Sequence, residues 1–366
     1  MRTLLARGTV HTGQRVLPAG WVLLAGAEVL EVGTGEAPAA DETVTGAHVV
    51  PGFVDLHCHG GGGASFGGPL EDARTVAAVH RAHGTTTLVA SLVTRPVDEL
   101  AATLDAYADL VADGSLAGIH LEGPWLSPLH RGAHDPHLLR APVTDDVDRL
   151  LATGLVRVVT IAPELPGGLA AVERVVDAGA IAAIGHTDAD AAMTRRAVDA
   201  GASLATHLFN AMPPLHHRAP GTVGALLEDD RVTVELIADG VHLDPLVLSL
   251  AALRAGRGRV ALVTDAMAAT GSVDGRYLLG DLEVDVVDGV ARLVEGNSIA
   301  GSTLTLDRAL EYAVTTAGIE LDDALAALTS TPARLLGRAD VGHLEPGARG
   351  GAVVLGPDLE LLQVLA

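Results

Sequence analysis

The chain has no lysine: all 24 of its basic residues are arginine. Chemistry that passes through a lysine is excluded with it, including Schiff bases, pyridoxal-phosphate aldimines, the phosphate-binding P-loop and metal bridges built on a carbamylated lysine. Aromatic residues are scarce as well. Three Phe, two Trp and three Tyr in 366 residues argue against recognition of stacked bases on an aromatic platform. The single cysteine, Cys58, cannot close an intrachain disulfide, which fits a reducing compartment. Positive charge is in deficit. With 46 acids the formal charge is −22, which repels nucleic acid and anionic lipid at long range, so an anionic substrate needs a local cluster of Arg or His. No long hydrophobic run is present either. The N-terminal apolar stretch is broken by Arg7 and Gly8, and the longest charge-free run, 200–217, holds three histidines, two prolines and Asn210. The expectation is a cytoplasmic protein without nucleic-acid or membrane partners.

What is abundant is aliphatic. At 48% hydrophobic and 19% charged, the chain can bury a large core. Residues 3–50 read as short strands between Gly-rich turns, and the C-terminus repeats that texture around Gly356-Pro357-Asp358. Between them, β-prone runs alternate with amphipathic helical segments. Eight such runs are expected as strands: 53–56, 86–90, 116–121, 156–161, 181–184, 203–206, 232–237 and 260–263. Helices are expected between them at 70–82, 97–112, 170–178, 189–200 and 245–255. Eight βα units favour a closed (β/α)8 TIM-like barrel over an open sheet, and no GxGxxG follows the first strand. The expected organisation is a small β-sandwich domain from 1–50 plus 342–366 and a barrel over 51–341. A β-hairpin-like insertion is expected over 277–293.

In a barrel of this type the chemistry lies at the C-terminal ends of the strands. Those ends read His57 and His59, His120 and Glu122, Glu164, His186, His207 with Asn210, Asp239 with His242, and Asp265, while strand two offers Ser91 and Thr94. On an extended strand residues two apart share a face, so His57 and His59 can converge, as suits a borderline transition metal. Cys58 then points away and reads as a small buried hydrophobe. Glu122, His186 and His207 supply one oxygen and two nitrogens, a ligand set that leaves a coordination position free. Asp265 suits a general base that later returns its proton, or alternatively a helix cap. The glycine runs at 60–63 and 67–68 lack a following GK[ST] and read as a flexible loop.

These residues resemble the amidohydrolase superfamily and, within it, the N-acetylglucosamine-6-phosphate deacetylase family. The likeness spans nearly the whole chain. It rests on Pro51-Gly52-Phe53-Val54-Asp55-Leu56-His57-Cys58-His59-Gly60, His120-Leu121-Glu122-Gly123-Pro124, Gly185-His186-Thr187, Thr206-His207-Leu208-Phe209-Asn210-Ala211-Met212, Ala238-Asp239-Gly240-Val241-His242 and Val263-Thr264-Asp265-Ala266. The resemblance implies an amidohydrolase-type barrel and hydrolysis of N-acetyl-D-glucosamine 6-phosphate to acetate and D-glucosamine 6-phosphate in amino-sugar catabolism. It implies a metal on Glu122, His186 and His207, Asp265 as acid and base, and His134 polarising the acetyl carbonyl. It further implies a phosphate site from Asn210, the Ala211 N–H, His242 and Arg218, the last donated by the second subunit of a homodimer. Some members replace the first-strand HxH pair by amide side chains and use a single metal. This chain keeps His57 and His59, so one or two divalent ions (Zn, Fe, Mn or similar) are expected. The rival readings are another amidohydrolase reaction, such as deamination of a nucleobase, and a non-catalytic sugar-phosphate sensor.

Overall fold

The computed structural model describes residues 3–366. Eight parallel strands follow one another around a single sheet in chain order: β1 (Phe53–Cys58), β2 (Thr85–Leu92), β3 (Gly118–Glu122), β4 (Val156–Ile161), β5 (Ile181–Ile184), β6 (Leu204–Ala205), β7 (Thr233–Leu236) and β8 (Val260–Leu262). Both faces of these strands are almost wholly buried, because the helices cover the outside and the other strands fill the inside. The seam between β8 and β1 closes through the residues that follow β8. Asp265 N–H donates to the His57 carbonyl at 2.8 Å, His59 N–H donates to the Ala266 carbonyl at 2.8 Å, and the Thr264 hydroxyl donates to Asp55 Oδ2 at 2.6 Å. Closure therefore places Asp265 directly beside the HxH pair.

The helices follow from their apolar spacing. Val97–Ala112 buries Leu100, Leu104, Tyr107 and Leu110, one stripe at i, i+4, i+7 and i+10, and starts behind Pro96 with Asp98 and Glu99 in the first turn. Leu70–Ala82 and Pro245–Ala255 occupy the expected spans, while the other two helices run Gly168–Asp177 and Ala191–Asp199. Strands from both ends of the chain share a second, smaller sheet of six, in the order Leu361–Leu365, Ala352–Leu355, Glu42–Pro51, Leu4–His11, Val16–Ala25, Glu28–Thr34. Val10, Val22, Leu24, Val49 and Val354 pack together on that sheet, and Glu42–Pro51 leads straight into β1.

The insertion after β8 has three strands where a hairpin was expected: Gly275–Leu279, Leu282–Val287 and Val290–Leu293. The second turn is Asp288-Gly289, with φ of 51° and 73°, the Asp-Gly pair that a tight two-residue turn favours. Among the described residues, no helix is long and apolar enough to cross a membrane.

Candidate active site

The strand ends converge. Glu122, at the end of β3, is the hub: its Oε1 lies 3.2 Å from His186 Nε2, 3.1 Å from His207 Nε2 and 3.3 Å from His57 Nε2. Its Oε2 lies 3.0 Å from His59 Nε2 and 3.3 Å from His134 Nε2. His186 and His207 bring their Nε2 atoms to 3.0 Å, and His57 and His59 bring theirs to 3.1 Å. Asp265 Oδ1 stands 3.4 Å from both members of the HxH pair. All of these side chains are buried.

The outward nitrogens decide what the inward ones are. His59 Nδ1 lies 3.1 Å from the Ser91 carbonyl and His186 Nδ1 lies 2.9 Å from the His130 carbonyl. A carbonyl only accepts, so each Nδ1 carries a proton, and a neutral ring then presents a bare Nε2 to the centre. His57 Nδ1 faces the Glu235 carboxylate at 3.1 Å in the same sense. Several lone pairs and two carboxylates pointing at one another repel unless positive charge lies among them. The donor set, imidazole nitrogen with carboxylate oxygen, is one that borderline divalent ions take. The residues present therefore fit a metal, as two groups sharing Glu122.

Burial would lower the His57 pKa, yet the Glu122, Asp265 and Glu235 carboxylates hold it well above the ordinary value. Burial would likewise raise Glu122, but His57 and the hydrogen-bonding His134, His186 and His207 hold it well below. His120 lies beneath, its ring edge-on to His57 at 4.5 Å. It is held by Ser91 at 2.9 Å and Thr160 at 2.8 Å, and burial keeps it neutral. Backbone strain gathers here too. Of the nine described non-glycine residues with positive φ, five are His186, His207, Phe209, Ala211 and Asp265, and such strain of ~1–3 kcal/mol per residue persists where surrounding contacts over-determine it.

A cavity of about 330 Å³ opens over the cluster. Asn210, Ala211 and His242 line it beside the histidines, and Leu279, Ser298 and Ile299 of the insertion region form the opposite wall. His242 is anchored by Nδ1 to Asp239 at 2.7 Å. A larger cleft of about 750 Å³ between the Gly-rich loop and the insertion lacks the histidine cluster, so chemistry rather than volume picks out the site. Glu164, read at a strand end, and Arg218, implied by the resemblance, lie elsewhere, while Cys58 faces away from the cluster as expected. Glu164 accepts from the Thr187 hydroxyl and the Asp188 N–H, latching a loop. Cys58 is buried with Sγ 3.2 Å from His80 Nε2. Arg218 is exposed, pairs with its neighbour His217 at 2.6 Å, and lies outside this chain's own cavity.

A family profile, the Amidohydrolase family, matches residues 48–365. The chain belongs to the amidohydrolase family. Amidohydrolases of this kind are metal-dependent hydrolases, in keeping with the ligand groups above. The chain is 38% identical over 322 residues to the N-acetylgalactosamine-6-phosphate deacetylase of Escherichia coli O157:H7, covering 86% of this chain and 85% of that protein. It is 37% identical over 334 residues to the N-acetylglucosamine-6-phosphate deacetylase of Bos taurus, covering 86% and 81%. A variant of the N-acetyl-D-glucosamine-6-phosphate deacetylase of Mycobacterium smegmatis, solved in complex with N-acetyl-D-glucosamine-6-phosphate, matches with a TM-score of 0.94 and 48% identity over 99% of this chain and 97% of that one.

Two residues of this amidohydrolase site were given no role by sequence reasoning: Thr94, named only as an end of strand two, and one that was not singled out at all. Thr94 donates its backbone N–H to His134 Nδ1 at 3.3 Å and places its hydroxyl 2.9 Å from the same atom. An Nδ1 that accepts an N–H leaves the ring proton on Nε2, which faces the cluster. Gly123 belongs to the same device: with φ of +96°, its missing Cβ would stand 2.2 Å from the Thr94 hydroxyl. Glu235 is the other. Its signal was present as a lone acid inside the apolar run Val232-Thr233-Val234-Glu235-Leu236-Ile237, where an unpaired carboxylate is costly.

Proposed function

We propose that the chain hydrolyses N-acetyl-D-glucosamine 6-phosphate to D-glucosamine 6-phosphate and acetate. The observation that carries this reading is the meeting of Asp265, Glu122 and His134 with four inward-facing imidazoles at the floor of a cavity walled by Asn210, Ala211 and His242. The 48% identity to a deacetylase solved with that phosphorylated sugar supports the substrate class.

Glu122, His186 and His207 would hold one divalent ion, and His57, His59 and Asp265 would hold a second. When bound, such an ion polarises a carbonyl and draws the pKa of water from about 15.7 towards ~7. Asp265 accepts a proton from the attacking water as the oxygen adds to the acetyl carbon. His134 donates its Nε2–H to the oxygen on which negative charge gathers. Asp265 then passes its proton to the amine nitrogen as the C–N bond breaks, leaving acetate and the free amino sugar. Asn210, the Ala211 N–H and His242 bind the phosphate. Arg218, reaching over from a second copy of the chain, closes that site with a planar fork matched to phosphate oxygens.

Acetate release from the phosphorylated sugar, set against ammonia release from nucleobases, tests the reaction class, and the galactosamine epimer run in parallel tests the sugar. Absence of acetate from N-acetyl-D-glucosamine 6-phosphate would overturn the proposal. Arg218→Ala is expected to raise KM for the phosphorylated sugar at least tenfold, the discrimination of one lost charge-assisted contact of ~1.5–3 kcal/mol, with kcat less affected. Equal cleavage of unphosphorylated N-acetylglucosamine by the parent enzyme would contradict the clamp. Thr94→Val keeps the shape and the backbone N–H but removes the hydroxyl behind His134. It is expected to lower kcat about tenfold with KM nearly unchanged, as loss of a supporting hydrogen bond does. Unaltered kcat would show that the hydroxyl does not set the ring.

A further inference from the structure

We propose that Glu235, on β7, is a positioning residue that holds the two ligand groups in register, fixing the His57 ring with its Nε2 inward and tying down the turn that carries His207. The inference rests on the reading that those groups hold divalent ions. Glu235 is fully buried. Its Oε2 lies 3.1 Å from His57 Nδ1 and also accepts the His207 backbone N–H at 3.0 Å. Its main-chain carbonyl accepts the Leu208 N–H at 2.9 Å. One residue thus grips an imidazole of one group and the backbone of the other. The backbone it grips is strained, since His207 has φ of 26°.

The fold by itself gives no reason for this carboxylate. Val232, Val234, Leu236 and Ile237 around it are buried and apolar, and Glu235 Oε1 has no hydrogen-bond partner. A buried carboxylate with one unpartnered oxygen is a worse core residue than an apolar side chain of the same size. Its two side-chain bonds both serve residues that point at the metal groups. A carboxylate behind an imidazole fixes the tautomer and raises the basicity of the ring, and losing such a partner commonly costs 10–100-fold in metal affinity. Because a single oxygen accepts both bonds, the amide oxygen of a glutamine can replace it, whereas a methionine of similar length cannot.

The test uses the full chain as wild type, Glu235→Met and Glu235→Gln, each stripped with chelator and dialysed against buffered zinc, with bound zinc measured by elemental analysis. Glu235→Met is expected to raise the half-saturating zinc concentration about 10–100-fold. Its metal-free form should unfold at a temperature no lower than that of metal-free wild type. Glu235→Gln should recover most of the affinity. Wild-type zinc affinity in Glu235→Met, or a matching fall in the unfolding temperature of its metal-free form, would overturn the inference, as would a glutamine variant as weak as the methionine one. Should wild type itself take up no zinc, the metal reading beneath fails first.

Discussion

Asp265→Asn is expected to lower kcat by about 10²–10⁴-fold, the usual contribution of a positioned proton acceptor, while KM and the ion on Glu122, His186 and His207 are retained. Asparagine keeps the size of the side chain and one oxygen near His57 and His59, where Asp265 Oδ1 now lies 3.4 Å from each Nε2. The main chain is held independently, by the Asp265 N–H on the His57 carbonyl at 2.8 Å, so the strained turn should persist. What disappears is the ability to take a proton. Burial would raise the Asp265 pKa, but the His57 and His59 rings hold it well below the ordinary carboxylate range. A carboxyl with a depressed pKa is ionised throughout the neutral range, hence available as a base from the start. Acetate-release kinetics beside elemental analysis would check both halves of this expectation. Residual turnover within tenfold of wild type would remove Asp265 from the proton path, whatever the metal content.

The barrel was legible because parallel strands buried on both faces leave short apolar runs that helical stripes separate, and because histidines recur where those runs stop. His57, His59, His186 and His207 were readable from that coincidence alone. His134 was not. It sits on a loop entered through the short 3-10 turn Pro128–His130, where no periodicity constrains the chain, and only the family resemblance distinguishes it from His130 and His137. Its Thr94 support joins positions forty residues apart, a pairing no local pattern encodes. Glu235 was hidden for a different reason. Its strand was identified by apolar content, and the one charged residue within it carried no strand-end position. The insertion shows the limit of turn reading: 277–293 was expected only as a hairpin-like unit, and the turn at Asp288-Gly289 adds a third strand to it.

Removing the metal should abolish turnover, and acidification should empty the two groups in a defined order. Burial alone would lower the His59 pKa, but hydrogen bonds to Asp265 and Glu122 push it up to about 9. His57 is raised as well. The pair therefore holds protons firmly in the metal-free protein, and an ion entering between the two rings must displace them. In the other group burial brings His186 down to about 4, so it is neutral, whereas His207 is raised because its Glu122 contacts outweigh burial. That group has less proton to give up, since His186 is neutral. By mass action the affinity of the His57, His59 and Asp265 group should fall more steeply below neutrality than that of the Glu122, His186 and His207 group. Gel filtration at stepped pH followed by elemental analysis is expected to show zinc lost in two stages, the HxH group emptying first. Chelation of the remainder should reduce kcat by at least the ~10²–10³-fold that follows loss of one transition-state stabiliser. Simultaneous loss of both ions on acidification would mean that the two groups do not bind independently, and turnover that survives complete chelation would contradict metal-dependent hydrolysis at this centre.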